Sequence, residues 1–408
     1  MNFIILLLVF AALLDTTVEL LNLRHAQREG LPKEFIGFCD EEKYRQSQSY
    51  LVDQTRFGLW KTLFSIPATI AFFYFGGFQW LDTWVRNFQF SEVLTGVLFV
   101  FALGALSWIA GLPFSLYRTF VLEEKYGFNK TTAKTFMGDT LKGLVLSALI
   151  GAPILALVFW FFSSAGSLAW LYVWMAITVI QIFLMFLAPV VIMPIFNTFI
   201  PMGDGALKQA IEQYARSQNF QLQGIFTMDG SKRSSKANAF FTGFGKFRRI
   251  VLFDTLIKNH TVPELVAVMA HEVGHFKRKH VLKFMGISIF SVALMLYVFS
   301  LGINSDWLFS AFQVREKSVY ASLVFLAFLY SPISTFLGLF TSALSRKFEY
   351  EADAYARVTT GGPQELILAL KKLSVDNLSN LNPHPWKVFL EYSHPPVLQR
   401  IRALREKA

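Results

Sequence analysis

The stretch VMAHEVGHFKRKHV, residues 268–281, holds His271, Glu272 and His275 close to one helical turn and follows them with Lys277, Arg278, Lys279 and His280. Shortly after it, Phe284 to Leu301 is apolar over the length of a membrane crossing. A metal-ligand spacing at the edge of such a segment raises the question of which solvent the chain lives in. Of the 408 residues, 54% are hydrophobic, 16% are charged and 44 are phenylalanine, and the mean hydropathy is +0.43. Lipid is the main solvent of such a chain, so it reads as a polytopic, all-α membrane protein and not as two or three water-soluble domains.

Seven stretches reach the about 20 residues that a bilayer core demands. They are Phe3 to Leu21, Gly58 to Trp80, Val93 to Leu116, Leu144 to Phe162, Leu168 to Val190, Phe284 to Leu301 and Val319 to Leu344. The first is expected to be an anchor, because no basic residue precedes its apolar run and no small-x-small site ends it. Its Asp15 and Glu19, four apart, share a helical face and are expected to point inward. Basic residues stay on the cytoplasmic side of a membrane. Residues 22–57, 116–142, 201–283 and 345–408 hold 6, 5, 13 and 10 Lys and Arg, while the alternate connections hold only Arg86, Arg315 and Lys317. The N-terminus is therefore expected outside or in a lumen and the C-terminus in the cytoplasm, in a bacterial inner membrane or the endoplasmic reticulum. Anionic lipid headgroups then account for the net charge of +10, and no nucleic-acid partner is expected. Cys39 is the single cysteine, so no intrachain disulfide can form.

Residues 201–283 form the longest connection. In it, Gln221 to Asp229 and Arg248 to Asp254 read as strands, with a further strand and a Gly-rich turn in NAFFTGFGKF between them. Thr261, Pro263 and Glu264 then make a helix start, a capping box with proline in the first turn. With no glycine or proline between Gly274 and Gly286, this helix is expected to run continuously into the sixth span. On it His271 and His275 share a face and can grip one metal ion, while Glu272 can reach a water in an open coordination position as general base. The basic residues Lys277, Arg278, Lys279 and Lys283 are read as headgroup contacts.

A catalytic zinc needs a third protein ligand. His280, five positions after His275, would point about 140° away on a continuous helix and is set aside. The sixth and seventh spans form an out-and-back hairpin that returns the chain near residue 345, where SRKFEYEADAYA begins. Glu349 and Asp353 are four apart and share a face there, whereas Glu351 lies roughly 200° from Glu349. Glu349 is expected to be the third ligand and Asp353 to orient a ligating histidine through its other ring nitrogen. The chain thus divides into residues 1–200 with five spans, 201–283 with strands and the HEVGH helix, 284–344 with two spans, and 345–408 with the third ligand.

HEVGH with EYEAD, EEKYGFNKTT (123–132), PIFNTF (194–199), SSKANAFFTGFGKFRRIVLFDTL (234–256) and SHPPVLQRI (393–401) resemble the CAAX prenyl protease 1 family, from about residue 120 to the C-terminus. The resemblance implies a gluzincin-like zinc endopeptidase, one Zn2+ per chain, acting on peptides or prenylated proteins, with seven helices enclosing a water-filled chamber. It implies zinc held by His271, His275 and Glu349, a water activated by Glu272, and substrate and oxyanion contacts from Asn238 and His394. Arg400 also matches, as a partner for an acid near the metal. HtpX-type quality-control proteases share the zinc motifs with fewer spans and are the family alternative; a seven-span transporter or receptor is the alternative from another class.

Overall fold

A computed structural model describes residues 2–242 and 249–406. Six helices in it are long and apolar enough to cross a membrane: Asn2–Arg28, Glu92–Glu123, Ala133–Ser164, Gly166–Phe196, His280–Gly302 and Val319–Thr359. The remaining expected span, Gly58 to Trp80, is not one apolar helix. It belongs to a 34-residue helix, Glu41–Tyr74, whose polar first half starts at the Asp40 cap; the chain then turns at Gly76, in the left-handed region, and starts a separate helix, Gly77–Arg86. Lys61 and interspersed hydroxyl residues lower the apolarity of this segment, which makes seven an approximate count.

The helices gather into two buried cores near their ends and meet through fewer buried residues between, where Trp174 Nε1 donates to the Ile289 carbonyl and Gln181 Nε2 to Ser288 Oγ, both at 2.9 Å. Nothing is buried from residue 100 to 121 in the helix Glu92–Glu123, or from 281 to 295 in His280–Gly302, or from 327 to 347 in Val319–Thr359. One core gathers the ends near Phe73, Phe78, Phe99, Phe159, Phe299 and Tyr320. There Asp82 accepts hydrogen bonds from Arg86 and Tyr320, at 2.8 and 2.5 Å. The second core gathers the strands, the HEVGH helix and the C-terminal helices, and recruits Phe35, Cys39 and Tyr44 from the first loop. The surface of 21631 Å² exceeds the about 16,000 Å² that a compact monomer of this mass exposes. Together these describe a loosely packed bundle whose buried cores lie near its two ends.

The helix Val319–Thr359 explains how the site leaves the membrane. Its 41 residues span about 60 Å, twice the roughly 30 Å of a hydrocarbon core. A helix of that length outruns a hydrocarbon core, and its last turns carry Glu349 and Asp353 as a rigid extension of the span. Glu19 of the first helix also turns inward, accepting from Lys387 at 2.6 Å.

The sheet is small and mixed. β1 (Phe199–Pro201), β2 (Gly224–Met228), β3 (Ala239–Thr242) and β4 (Arg249–Phe253) lie in the order β1-β2-β4-β3, with β2 and β4 parallel and the other pairs antiparallel. β3 is an edge strand; the Gly-rich turn expected after it and Arg248 lie outside the described residues.

The HEVGH helix runs Val262–Lys277. Glu264 closes the capping box by accepting from the Thr261 N–H at 2.8 Å, and it also accepts from Lys372 at 2.7 Å. The helix does not continue into the sixth span. Lys279 adopts φ +57°, and a new helix starts at His280. A lysine in the left-handed region costs about 1–2 kcal/mol, so no residue preference announces this break and tertiary packing imposes it.

Gly274 sits where the HEVGH helix crosses Val319–Thr359. A Cβ there would meet the Ala352 Cα at 3.0 Å and its carbonyl oxygen at 3.1 Å, both backbone atoms with little room to yield. Glycine costs about 1 kcal/mol against alanine inside a helix, and close approach is what it permits here. Gly274→Ala should raise intrinsic helix propensity yet push the two helices apart, lowering metal retention and turnover at least tenfold; metal content and activity at wild-type levels would contradict this.

Candidate metal centre

Two helices supply the donors. His271 Nε2 and His275 Nε2 lie 3.1 Å apart on the HEVGH helix, and Glu349 reaches across from the return helix with Oε1 3.2 Å from His275 Nε2 and Oε2 3.4 Å from His271 Nε2. Tetrahedral zinc with bonds of about 2.0–2.1 Å places neighbouring donors about 3.3 Å apart, so the three separations fit one ion. Glu349 Oε2 is buried and accepts no well-aligned hydrogen bond, although Arg400 Nη1 lies 3.3 Å away. An orphaned buried carboxylate oxygen beside two imidazole nitrogens is what a bound cation satisfies.

The surrounding groups set the rings. His271 Nδ1 donates to Asp353 Oδ1 at 2.8 Å, which turns Nε2 toward Glu349. Arg400, buried, donates to both oxygens of Asp353, from Nε at 2.8 Å and Nη2 at 2.6 Å. Removing one member of such a buried pair typically costs about 3–5 kcal/mol, because the other is left charged and unpaired. Asp353 thus lies between His271 and Arg400, the latter from the last helix, Val397–Glu406.

A cleft of about 370 Å³ opens on these groups, lined also by Glu272, Asn238 and His394. His394 Nε2 is 3.4 Å from Glu349 Oε1, and its side chain is 65% exposed. Asn238, exposed at the start of β3, accepts with Oδ1 from the Ala239 N–H at 2.8 Å. Glu272 lines both this cleft and an adjoining, largely apolar pocket of about 570 Å³ between Met185, Phe241, Phe276 and Phe284. Seven of the eight candidate residues therefore line one cleft, and the eighth, Asp353, contacts two of them, His271 and Arg400. His280, which the sequence set aside, is also here: the break at Lys279 turns it back, so that its Nδ1 lies 3.0 Å from His275 Nδ1. Its other nitrogen, Nε2, meets Glu351 at 3.1 Å. Only the charge run 277–279 marks that break in the sequence, and it does not distinguish a break from a continuous helix.

Burial opposes a charged His271, but its hydrogen bond to Asp353 and the neighbouring Glu349 carboxylate outweigh it and push its pKa up to about 9. Without metal the ring therefore holds a proton at neutral pH, and a metal ion must expel it. Metal binding at pH 7 should release about one proton, and apparent affinity should fall about tenfold per pH unit below 9 from this group alone; calorimetry in buffers of different ionisation heat measures the release. No proton release, with affinity constant from pH 6 to 8, would contradict the assignment.

Comparison with known proteins agrees in both halves of the chain. A family described as "CAAX prenyl protease N-terminal, five membrane helices" matches residues 22–198, and "Peptidase family M48" matches residues 201–408. The CAAX prenyl protease 1 homolog of Oryza sativa subsp. japonica is 35% identical, over 99% of this chain and 96% of its own. That of Homo sapiens is 32% identical, over 92% and 88%. The crystal structure of S. mikatae Ste24p superposes with a TM-score of 0.91 at 33% identity, covering 98% of this chain and 97% of its own.

Proposed function

The chain belongs to peptidase family M48 and is a multi-pass membrane metalloprotease, and from that premise we propose that it is a zinc endopeptidase cutting prenylated C-terminal peptides or related membrane substrates. The convergence of His271, His275 and Glu349 within 4.8 Å of one another is the observation that carries the reading. Two imidazoles and one carboxylate are a donor set that zinc prefers, and they leave a fourth position open. Zinc bound there supplies Lewis acidity, bringing a water pKa from about 15.7 toward 7 and polarising the scissile carbonyl.

The chain's own residues do the rest. Glu272, one position after His271 and lining the cleft, accepts the proton of the attacking water and hands it to the leaving amine. His394 and the Asn238 amide, whose oxygen is already engaged by Ala239, donate to the carbonyl oxygen as negative charge gathers on it. Asp353 and Arg400 keep His271 in place. The edge strand β3, adjoining Asn238, offers backbone groups to an extended peptide, which gives recognition with little demand on sequence. Residues 1–200 and 284–344 make a membrane bundle that offers a lipidated substrate apolar surroundings, and 201–283 with 345–408 make the protease region. The excess of Lys and Arg in its connections supports a cytoplasmic position for that region.

A quality-control protease of the HtpX type would use the same centre on unlipidated substrates, and a transporter would need no such donor set. Cleavage of matched farnesylated and unmodified peptides by purified protein, with and without chelator, tests the reading. Chelator-sensitive cleavage favouring the lipidated set is expected; substrate-driven transport without cleavage would contradict it. Glu272→Gln should keep bound metal and lose at least about 100-fold in kcat, the low end of what positioned proton transfer contributes. Wild-type turnover in that variant would remove Glu272 from the scheme. Glu349→Ala should lose most bound metal, and full occupancy would shift the ligand to Glu351 or Asp353.

A further inference from the structure

We propose that His280 and Glu351 are positioning residues that fix the tautomer and orientation of His275 for metal binding. The inference rests on the reading of His275 as a ligand and extends it to two residues outside the M48 donor set. His280 Nδ1 lies 3.0 Å from His275 Nδ1, and His280 Nε2 lies 3.1 Å from Glu351 Oε2. His280 is 1% exposed, and its ring stacks on Phe348 with centroids 4.0 Å apart and planes 4° from parallel.

With both imidazoles neutral, the protons along this chain can be arranged in one way only. A carboxylate only accepts, so with Glu351 ionised the proton of neutral His280 sits on Nε2. That leaves His280 Nδ1 as a bare acceptor. The nitrogen facing it, His275 Nδ1, must then be the donor, and a neutral His275 is left with its lone pair on Nε2. Nε2 is the atom that faces His271 Nε2 and Glu349 Oε1, at 3.1 and 3.2 Å. The opposite tautomer would put a proton where the metal belongs.

Each ligand histidine thus ends on a carboxylate. His271 reaches Asp353 directly, and His275 reaches Glu351 through His280. The arrangement depends on Lys279 in the left-handed region, since on an unbroken helix His280 would face about 140° away from His275. Glu349, Glu351 and Asp353 share the return helix, so the piece of chain that brings the carboxylate ligand also brings both outer acceptors.

The test measures zinc affinity of full-length purified protein in detergent by competition with a chelating indicator. His280→Phe keeps a ring on Phe348 but offers no acceptor to His275; His280→Asn places an amide oxygen near the position of Nδ1. Zinc binding should weaken about 10- to 100-fold in His280→Phe, the usual loss when a partner of a ligating histidine is removed, and be largely restored in His280→Asn. Glu351→Ala, at a side chain 29% exposed, should weaken it about tenfold. Affinity within twofold of wild type in His280→Phe would overturn the proposal. So would equal loss in His280→Phe and His280→Asn, which would assign His280 to packing. If His280→Phe does not fold, Glu351→Ala decides alone by the same twofold criterion. His275→Ala is the control: full zinc retention there would refute the ligand reading itself, whereas loss there with unchanged His280 and Glu351 variants would refute only the positioning role.

Discussion

Contact between the HEVGH helix and the return helix at Gly274 and Ala352 is the constraint from which the site follows. The histidines stand on one helix and Glu349 on the other, so the separation of the donors is set by how closely two backbones can pack. Any side chain at Gly274 would widen that crossing. Helix crossings typically bring axes to 8–10 Å, and glycine allows the near end of that range. The capping box at Thr261 and Glu264 fixes where the first helix begins, and Arg400 holds Asp353 on the second. The site is thereby built on rigid elements and not on loops.

The same return helix ties this chemistry to the membrane. It leaves the distal core after Leu326 and runs from residue 327 to 347 with nothing buried. It becomes buried again at Phe348 and Glu349. A membrane-length segment and the protease segment share one continuous helix, which joins the cleft directly to the bundle. Glu272 lies where the cleft meets the apolar pocket of Met185, Phe241 and Phe284, so polar and apolar surfaces adjoin at this residue.

Much of this is legible in the sequence, for identifiable reasons. The spacing of His271 and His275 and of Glu349 and Asp353 is a helical periodicity, and the out-and-back hairpin places the two pairs at the same end of the membrane. Those are local rules plus one topological step. Asn238, His394 and Arg400 carry no local signal and enter only through resemblance, because a turn asparagine, a loop histidine and a terminal arginine look alike whether or not a cleft lies beside them. Three features stay hidden. Lys279 breaks the helix without glycine or proline, which is why His280 is misplaced by a periodicity argument. Gly274 reads as an ordinary helix glycine until Ala352 is seen against it. The second span loses its apolar continuity through Lys61 and the turn at Gly76, so the span count is softer than the length rule suggests.

One joint in space holds the account together: His271, His275 and Glu349 around a single ion. Anomalous scattering at the zinc edge from crystals of the purified protein tests it most directly. The account predicts one peak per chain, about 2.0–2.2 Å from His271 Nε2, His275 Nε2 and a Glu349 oxygen. A peak bound without Glu349, or located away from the two imidazoles, would contradict it.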